Sequence, residues 1–300
     1  MLKQVTKAVL AKAGYEMIRI RKGYPVIRDY GVNPDARYGE GKPAHRELQS
    51  LIRQRDDSYL ETLRELTKFT EHLKKIPETA KAGAIAEPHW MNIYFSALDA
   101  IALYGLLGLR KPSRYLEVGS GNSTMFARRA IRDLGLGTQI TSIDPQPRAE
   151  IDALCDRVVR TRLEEVDLAL FDELEAGDIL FIDSSHRVFT NSDVTVFFLE
   201  MLPRLKPGIT VHIHDIFLPF DYPRCWKHMF FSEQYLLAAY LLGKSPRFDV
   251  LLPLAYLGQH PTIGKFINET WHDDLFQGTF AHYRTITGSY IATSFWLELK

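Results

Sequence analysis

Cysteine is nearly absent: Cys155 and Cys225 are the two in the chain and lie far apart, which excludes a disulfide framework and a zinc knuckle. They read as reduced thiols of a cytosolic protein. No run reaches the ~18 consecutive apolar residues that span a bilayer. The nearest, residues 97–109, carries Asp99 and stops at Arg110. Neither sign of charge is in excess, with 37 basic against 37 acidic side chains, so a dedicated nucleic-acid binder is not expected. The N-terminus lacks the continuous apolar core and small-residue cleavage site of a signal peptide, and a cytoplasmic location follows as the expectation. Internal repeats and low-complexity segments are missing too.

What is present is an ordinary globular composition, 46% hydrophobic and 25% charged, in a chain long enough for one large α/β domain with additions or for two small domains. The first residues are basic, with Lys3, Lys7, Lys12, Arg19, Arg21 and Lys22 against Glu16. Leu2, Val5, Val9 and Leu10 can share one helical face. Such a segment suits peripheral contact with the anionic inner face of a membrane, or a solvated helix resting on its own domain. A Gly- and Pro-rich connector covers 23–45. From Arg46 to Ile76 apolar residues recur at helical spacing, as one long amphipathic helix or a pair, which makes a homodimer contact possible without requiring it.

A further helix is expected over 91–107. Then short apolar strands alternate with helices: strands at 114–118, 139–143, 157–161, 178–183 and 209–217, with helices near 123–134 and 193–205. That alternation implies a parallel sheet with helices on both faces. A helix near 232–242, a strand over 248–257, a polar stretch and a terminal strand within 289–299 complete the pattern.

The first strand runs into "EVGSGNST". Glycine lets a chain turn sharply and lets a ligand approach the backbone, and the carboxyl ends of such strands are where ligands bind. A phosphate loop needs a Lys followed by Ser or Thr, which is lacking. A dinucleotide fingerprint needs a third glycine where Thr124 stands. Glu117 is awkward beside a pyrophosphate and suits a ligand bearing an ammonium and a sulfonium. Asp144, at the end of the second strand, can accept hydrogen bonds from both ribose hydroxyls. S-adenosylmethionine leads over NAD(P).

Together with "FIDSSH", "HDIFLPFDYP" and "SEQYLLAAYLL", these residues resemble the class I S-adenosylmethionine-dependent methyltransferases. The closer resemblance is to a bacterial subgroup related to the macrocin O-methyltransferase and cephalosporin hydroxylase-like branches. It covers roughly Pro88 to the C-terminus and implies two parts: a helical N-terminal extension, 1–87, and a methyltransferase domain, 88–300. It also implies a Rossmann-like sheet of seven strands, mostly parallel, with the last antiparallel. By this similarity Glu117 reaches the methionine amino group, Gly119, Ser120, Gly121 and Ser123 form the cofactor turn, Asp144 holds the ribose, and Asp183 completes the cofactor set.

Two strand ends converge on the same rim, one with Asp183 and His186, the other with His212, His214 and Asp215. His186 or His214 can act as general base on an acceptor hydroxyl. Alternatively Asp183 and Asp215, with His214, hold a divalent metal ion, Mg or Mn, that orients the hydroxyl; an imidazole ligand suits a transition metal better than Mg. In a regular strand His212 and His214 share one face, with Asp215 opposite. Aromatics over 217–237 form either an acceptor wall or core. The expected activity is O-methylation of a small molecule, sugar or glycan. Its rivals are an NAD(P)-dependent oxidoreductase and a non-catalytic binding module.

Overall fold

The computed structural model describes residues 34–80, 86–147 and 150–300; the basic N-terminal segment lies outside them. Seven strands form one sheet in the order β3-β2-β1-β4-β5-β7-β6. Their spans are β1 Arg114–Val118, β2 Gln139–Ile143, β3 Arg157–Val159, β4 Ile179–Ile182, β5 Thr210–Ile213, β6 Phe248–Pro253 and β7 Phe295–Leu299. Strands β1 to β5 pair in parallel, and β7 runs antiparallel to both of its neighbours. The sheet is therefore the Rossmann-like arrangement expected, reversed strand included. Every residue of β4 and β5 is buried. Successive side chains point to opposite faces, so both faces of the central sheet are covered.

The stretch 46–76 divides into α1 Arg46–Arg53, α2 Asp56–Leu66, a single 3-10 turn at Thr67–Phe69 and α3 Thr70–Leu73. Its apolar positions Leu48, Ile52, Tyr59, Leu63, Leu66, Leu73 and Ile76 are buried in the main core. Helix α4, Ala97–Arg110, starts later than its apolar pattern suggests. The Asn92 side chain first accepts the backbone N–H groups of Tyr94 and Phe95, and Ser96 then caps the helix by accepting from Asp99 N–H at 3.1 Å. Local side-chain bonds of this kind hold a turn open against the helix. Helix α5, Asn122–Leu134, follows the glycine turn and packs on α4.

Helix α6, Asp193–Val196, widens into a π-helical turn over Phe197–Met201, and α7 spans Glu233–Leu242. Beyond β6 the sequence expectation fails. The strand ends at Pro253 and the chain turns at once into α8, Leu254–Gln259. The supposed polar stretch is two helices, α9 Pro261–Thr270 and α10 Asp274–Thr287. The His260 side chain accepts from Ile263 N–H, with Pro261 at the first helical position, both recognised helix starts. Phe276, Phe280 and Tyr283 make the buried stripe of α10. That spacing was present in the sequence, diluted by the polar residues between.

Candidate active site

The parallel order reverses between β1 and β4, and the crevice above that switch point is the expected ligand position in an open α/β sheet. A cavity of about 810 Å³ opens there, lined from the carboxyl ends of five strands. Gly119 and Ser120 come from β1, Asp144 from β2, Arg162 and Glu164 from the chain after β3, Asp183 and His186 from β4, and His214 and Asp215 from β5. Ile93, Tyr94, Trp226, Met229, Phe231, Tyr283 and Ile286 supply apolar and aromatic wall.

The glycine turn is fixed by a close approach. Gly119 has φ 79°, and a Cβ placed there would sit 1.8 Å from the backbone oxygen of Asp183. Only glycine allows the first turn to lie against the end of β4. Ser120 N–H donates to Asp144 Oδ2 at 2.9 Å, and Gln146 N–H donates to Oδ1 at 2.7 Å. Each carboxylate oxygen keeps a second lone pair for a ligand hydroxyl. A Cβ on Gly121 would meet nothing within 4 Å, so its space is open.

Glu117 does not line the cavity. It is fully buried beneath the turn, where Tyr115 Oη donates to Oε1 at 3.0 Å and Thr124 Oγ1 donates to Oε2. Thr124 Oγ1 in turn accepts from Gly121 N–H at 3.0 Å. Burial raises the Glu117 carboxyl to about 7, and hydrogen bonds from Ser123, Thr124 and Tyr115 hold it back from going further. In this structure the residue on which the ligand argument turned braces the glycine turn from below, and Ser123 is buried beside it.

The ends of β4 and β5 meet, though not by strand regularity. Asp215 adopts φ 56° and His186 φ 60°, the left-handed region that non-glycine residues enter at a cost. The turn at Asp215 swings its carboxylate back over the rim instead of leaving it on the opposite face. His186 Nε2 lies 3.1 Å from Asp183 Oδ1 and 3.5 Å from Asp215 Oδ2, and its Nδ1 lies 2.8 Å from Glu233 Oε2. Despite burial, which opposes charge, these carboxylates raise His186 well above the usual histidine value. Burial pushes the carboxyls of Asp215 and Glu233 upward, against the histidines that pull them down.

His214 is buried at 2% exposure; its Nε2 faces Asp215 Oδ1 at 3.7 Å and has no hydrogen-bond partner among the described residues. His212 lies deeper. It stacks on Phe181 with ring centroids 3.7 Å apart and bonds Ser294 Oγ through Nε2 at 2.8 Å, so it belongs to the sheet core and not to the cavity. Donor atoms of Asp183, His186 and Asp215 all lie within 4.8 Å of one another, a set able to hold a cation.

The aromatic stretch divides. Trp226, Met229 and Phe231 reach the cavity, while Phe217, Tyr222 and Trp226 join Ala255 and Tyr290 in a small satellite core. Sequence reading missed Tyr283, because α10 was not seen as a helix. It also missed Glu233 as a partner of His186, because nothing local joins residues 47 positions apart.

Residues 116–216 match the profile of a family described as a methyltransferase domain. No curated protein matches the chain. Among solved structures, an O-methyltransferase from Bacillus cereus in complex with SAH is 17% identical, with a TM-score of 0.38, covering 68% of this chain and 90% of that one. The O-methyltransferase TomG from Streptomyces achromogenes, in complex with SAM, is 18% identical with a TM-score of 0.37, covering 80% and 98%. A branched-chain polyamine synthase from Thermus thermophilus is 14% identical with a TM-score of 0.40, covering 97% and 76%. These structural likenesses are too distant to assign a substrate.

Proposed function

We propose that the protein transfers the methyl group of S-adenosylmethionine to a hydroxyl oxygen of a small-molecule acceptor, sugars and glycans included; the match of residues 116–216 to the profile of a methyltransferase domain supports this reading. One observation carries this reading. The glycine turn, Asp144 and the Asp183–His186–Asp215 cluster line a single cavity, so a cofactor half and an acceptor half adjoin. The volume is within the range of ligand pockets, and its apolar rim gives an acceptor a surface to lie on.

When bound, S-adenosylmethionine supplies an electrophilic methyl on a sulfonium that departs as a neutral thioether. The chain's own task is to align the acceptor oxygen and to accommodate its proton. The Gly119–Ser120 backbone and Asp144 bind the cofactor's polar end in this reading. Asp183 and Asp215 face the acceptor.

For the hydroxyl, the geometry favours orientation by a divalent cation over deprotonation by imidazole. Carboxylates engage both nitrogens of His186 and hold a proton on the ring, so a neutral base is not available there near neutral pH. Three carboxylates crowd this one imidazole ring, and the Nε2 of buried His214 has no hydrogen-bond partner among the described residues; both features fit a bound cation. Asp183 and Asp215 would hold it, and it would lower the pKa of a coordinated hydroxyl.

The test is a calorimetric titration of the metal-stripped protein with S-adenosylhomocysteine and, separately, with NADH. Saturable binding of S-adenosylhomocysteine, weakened roughly 10- to 100-fold by Asp144→Ala as befits lost hydrogen bonds to a charged group, is the expected result. Binding of NADH alone would overturn the reading in favour of an oxidoreductase. Binding of neither would leave a non-catalytic module.

A further inference from the structure

Glu233, the first residue of α7, is fully buried behind the Asp183–His186–Asp215 cluster. Its Oε2 lies 2.8 Å from His186 Nδ1, and Ser184 Oγ donates to Oε1 at 3.3 Å and to Oε2 at 3.4 Å. The backbone N–H groups of Ser232 and Glu233 donate to the His186 carbonyl at 2.8 and 3.1 Å. The start of α7 therefore grips His186 at its carbonyl and at Nδ1. The Phe231 ring stands 4.6 Å from the imidazole, centroid to centroid, and closes one side. Nε2 is the ring nitrogen left to face the cavity, toward Asp183 and Asp215.

We propose that Glu233 is the positioning residue of a mixed nitrogen–oxygen cation site, in which His186 Nε2 joins Asp183 and Asp215 as a ligand and biases the site toward Mn2+ over Mg2+. The inference rests on the methyltransferase reading only for what the cation does, not for its being held. A carboxylate that accepts Nδ1–H keeps that proton in place, so that a cation at the cluster displaces the proton from Nε2 and takes up its lone pair, the arrangement that orients histidine ligands in metal sites. Mg2+ takes oxygen donors almost exclusively, whereas imidazole suits first-row transition ions. A second, independent observation points to a ligand at the same place: His214 Nε2 is buried, unpartnered among the described residues and 3.7 Å from Asp215 Oδ1. His214 itself is less suited to be the nitrogen ligand. Its ring packs against Phe95 at 5.4 Å, and its Nδ1 lies 3.5 Å from Ser294 Oγ.

The experiment uses the full chain, stripped of metal and titrated with Mn2+ alone, then with Mg2+ in competition. Electron spin-echo spectroscopy of the Mn2+ form reads nitrogen coordination directly. Mn2+ is expected to bind at least about tenfold tighter than Mg2+, with a nitrogen coupling that His186→Ala abolishes. Glu233→Leu is expected to weaken Mn2+ binding by about 10- to 100-fold. Glu233→Gln, whose amide oxygen still accepts from Nδ1–H, keeps the coupling, and this pair carries the test should Glu233→Leu fail to fold. Equal affinity for the two ions overturns the proposal. So does a nitrogen coupling that survives His186→Ala and disappears in His214→Ala, or a Glu233→Leu protein that folds and binds Mn2+ like the parent. A protein that shows the coupling but does not bind S-adenosylhomocysteine leaves this proposal standing and removes the methyltransferase reading.

Discussion

Gly119 shows how one residue joins two halves of a site. Its φ of 79° and the 1.8 Å approach of a would-be Cβ to the Asp183 carbonyl oxygen leave Gly119→Ala no relaxed state, since the obstacle is backbone. Thermal unfolding should show a loss of about 4 kcal/mol, in the range reserved for large local disruptions, together with loss of S-adenosylhomocysteine binding. Glu117 makes a pH prediction. Its folded carboxyl is raised from 4.5 to about 7, first by burial, so the native state holds a proton that the unfolded state has released. Its contribution is fully present below pH 4.5 and is lost as pH rises through 7, on the order of 3 kcal/mol across that window. Denaturant melts from pH 4 to 8 should show this decline in the parent and its absence in Glu117→Gln; an unchanged slope would remove Glu117 as the cause.

At the scale of elements, Asp99 explains a charge inside an apolar run. It sits fully buried in the first turn of α4, and its carboxylate accepts the backbone N–H groups of Thr293 and Ser294 at 2.8 to 3.2 Å just before β7. One side chain thus fixes α4 against the reversed strand, while the main-chain bond from Ile216 N–H to Thr293 O ties that same point to the loop of Asp215. Asp99→Ala would strand two buried backbone donors, and the Ser96 hydroxyl that also donates to the carboxylate, and should cost about 2 to 4 kcal/mol, measurable as a lower denaturant midpoint. The sequence showed Asp99 only as an interruption. The helices α9 and α10 were less legible still, because their buried stripes are short and the polar residues between them masked the period.

Across the whole molecule, Asp35–Lys300 is one compact unit, and among the described residues no helix is long and apolar enough to cross a membrane. The helices of 46–73 share the main core with the sheet. Truncating the chain before Pro88 removes buried Tyr59, Leu63 and Leu66 from that core. The shortened protein is therefore expected to be insoluble or unfolded by circular dichroism; a soluble, S-adenosylhomocysteine-binding truncation would show instead that the extension is dispensable.

Sequence alone determined the alternation of strands and helices, the glycine turn, and which acids and histidines end which strands. These follow from periodicity and from backbone chemistry, which are local. Only the tertiary structure decided that Glu117 lies under the turn and out of the cavity, that Asp215 turns back toward His186, and that Glu233 holds His186 from behind. Each of these depends on left-handed turns and on approaches between segments distant in the chain. Such contacts are selected by packing, which local pattern does not encode.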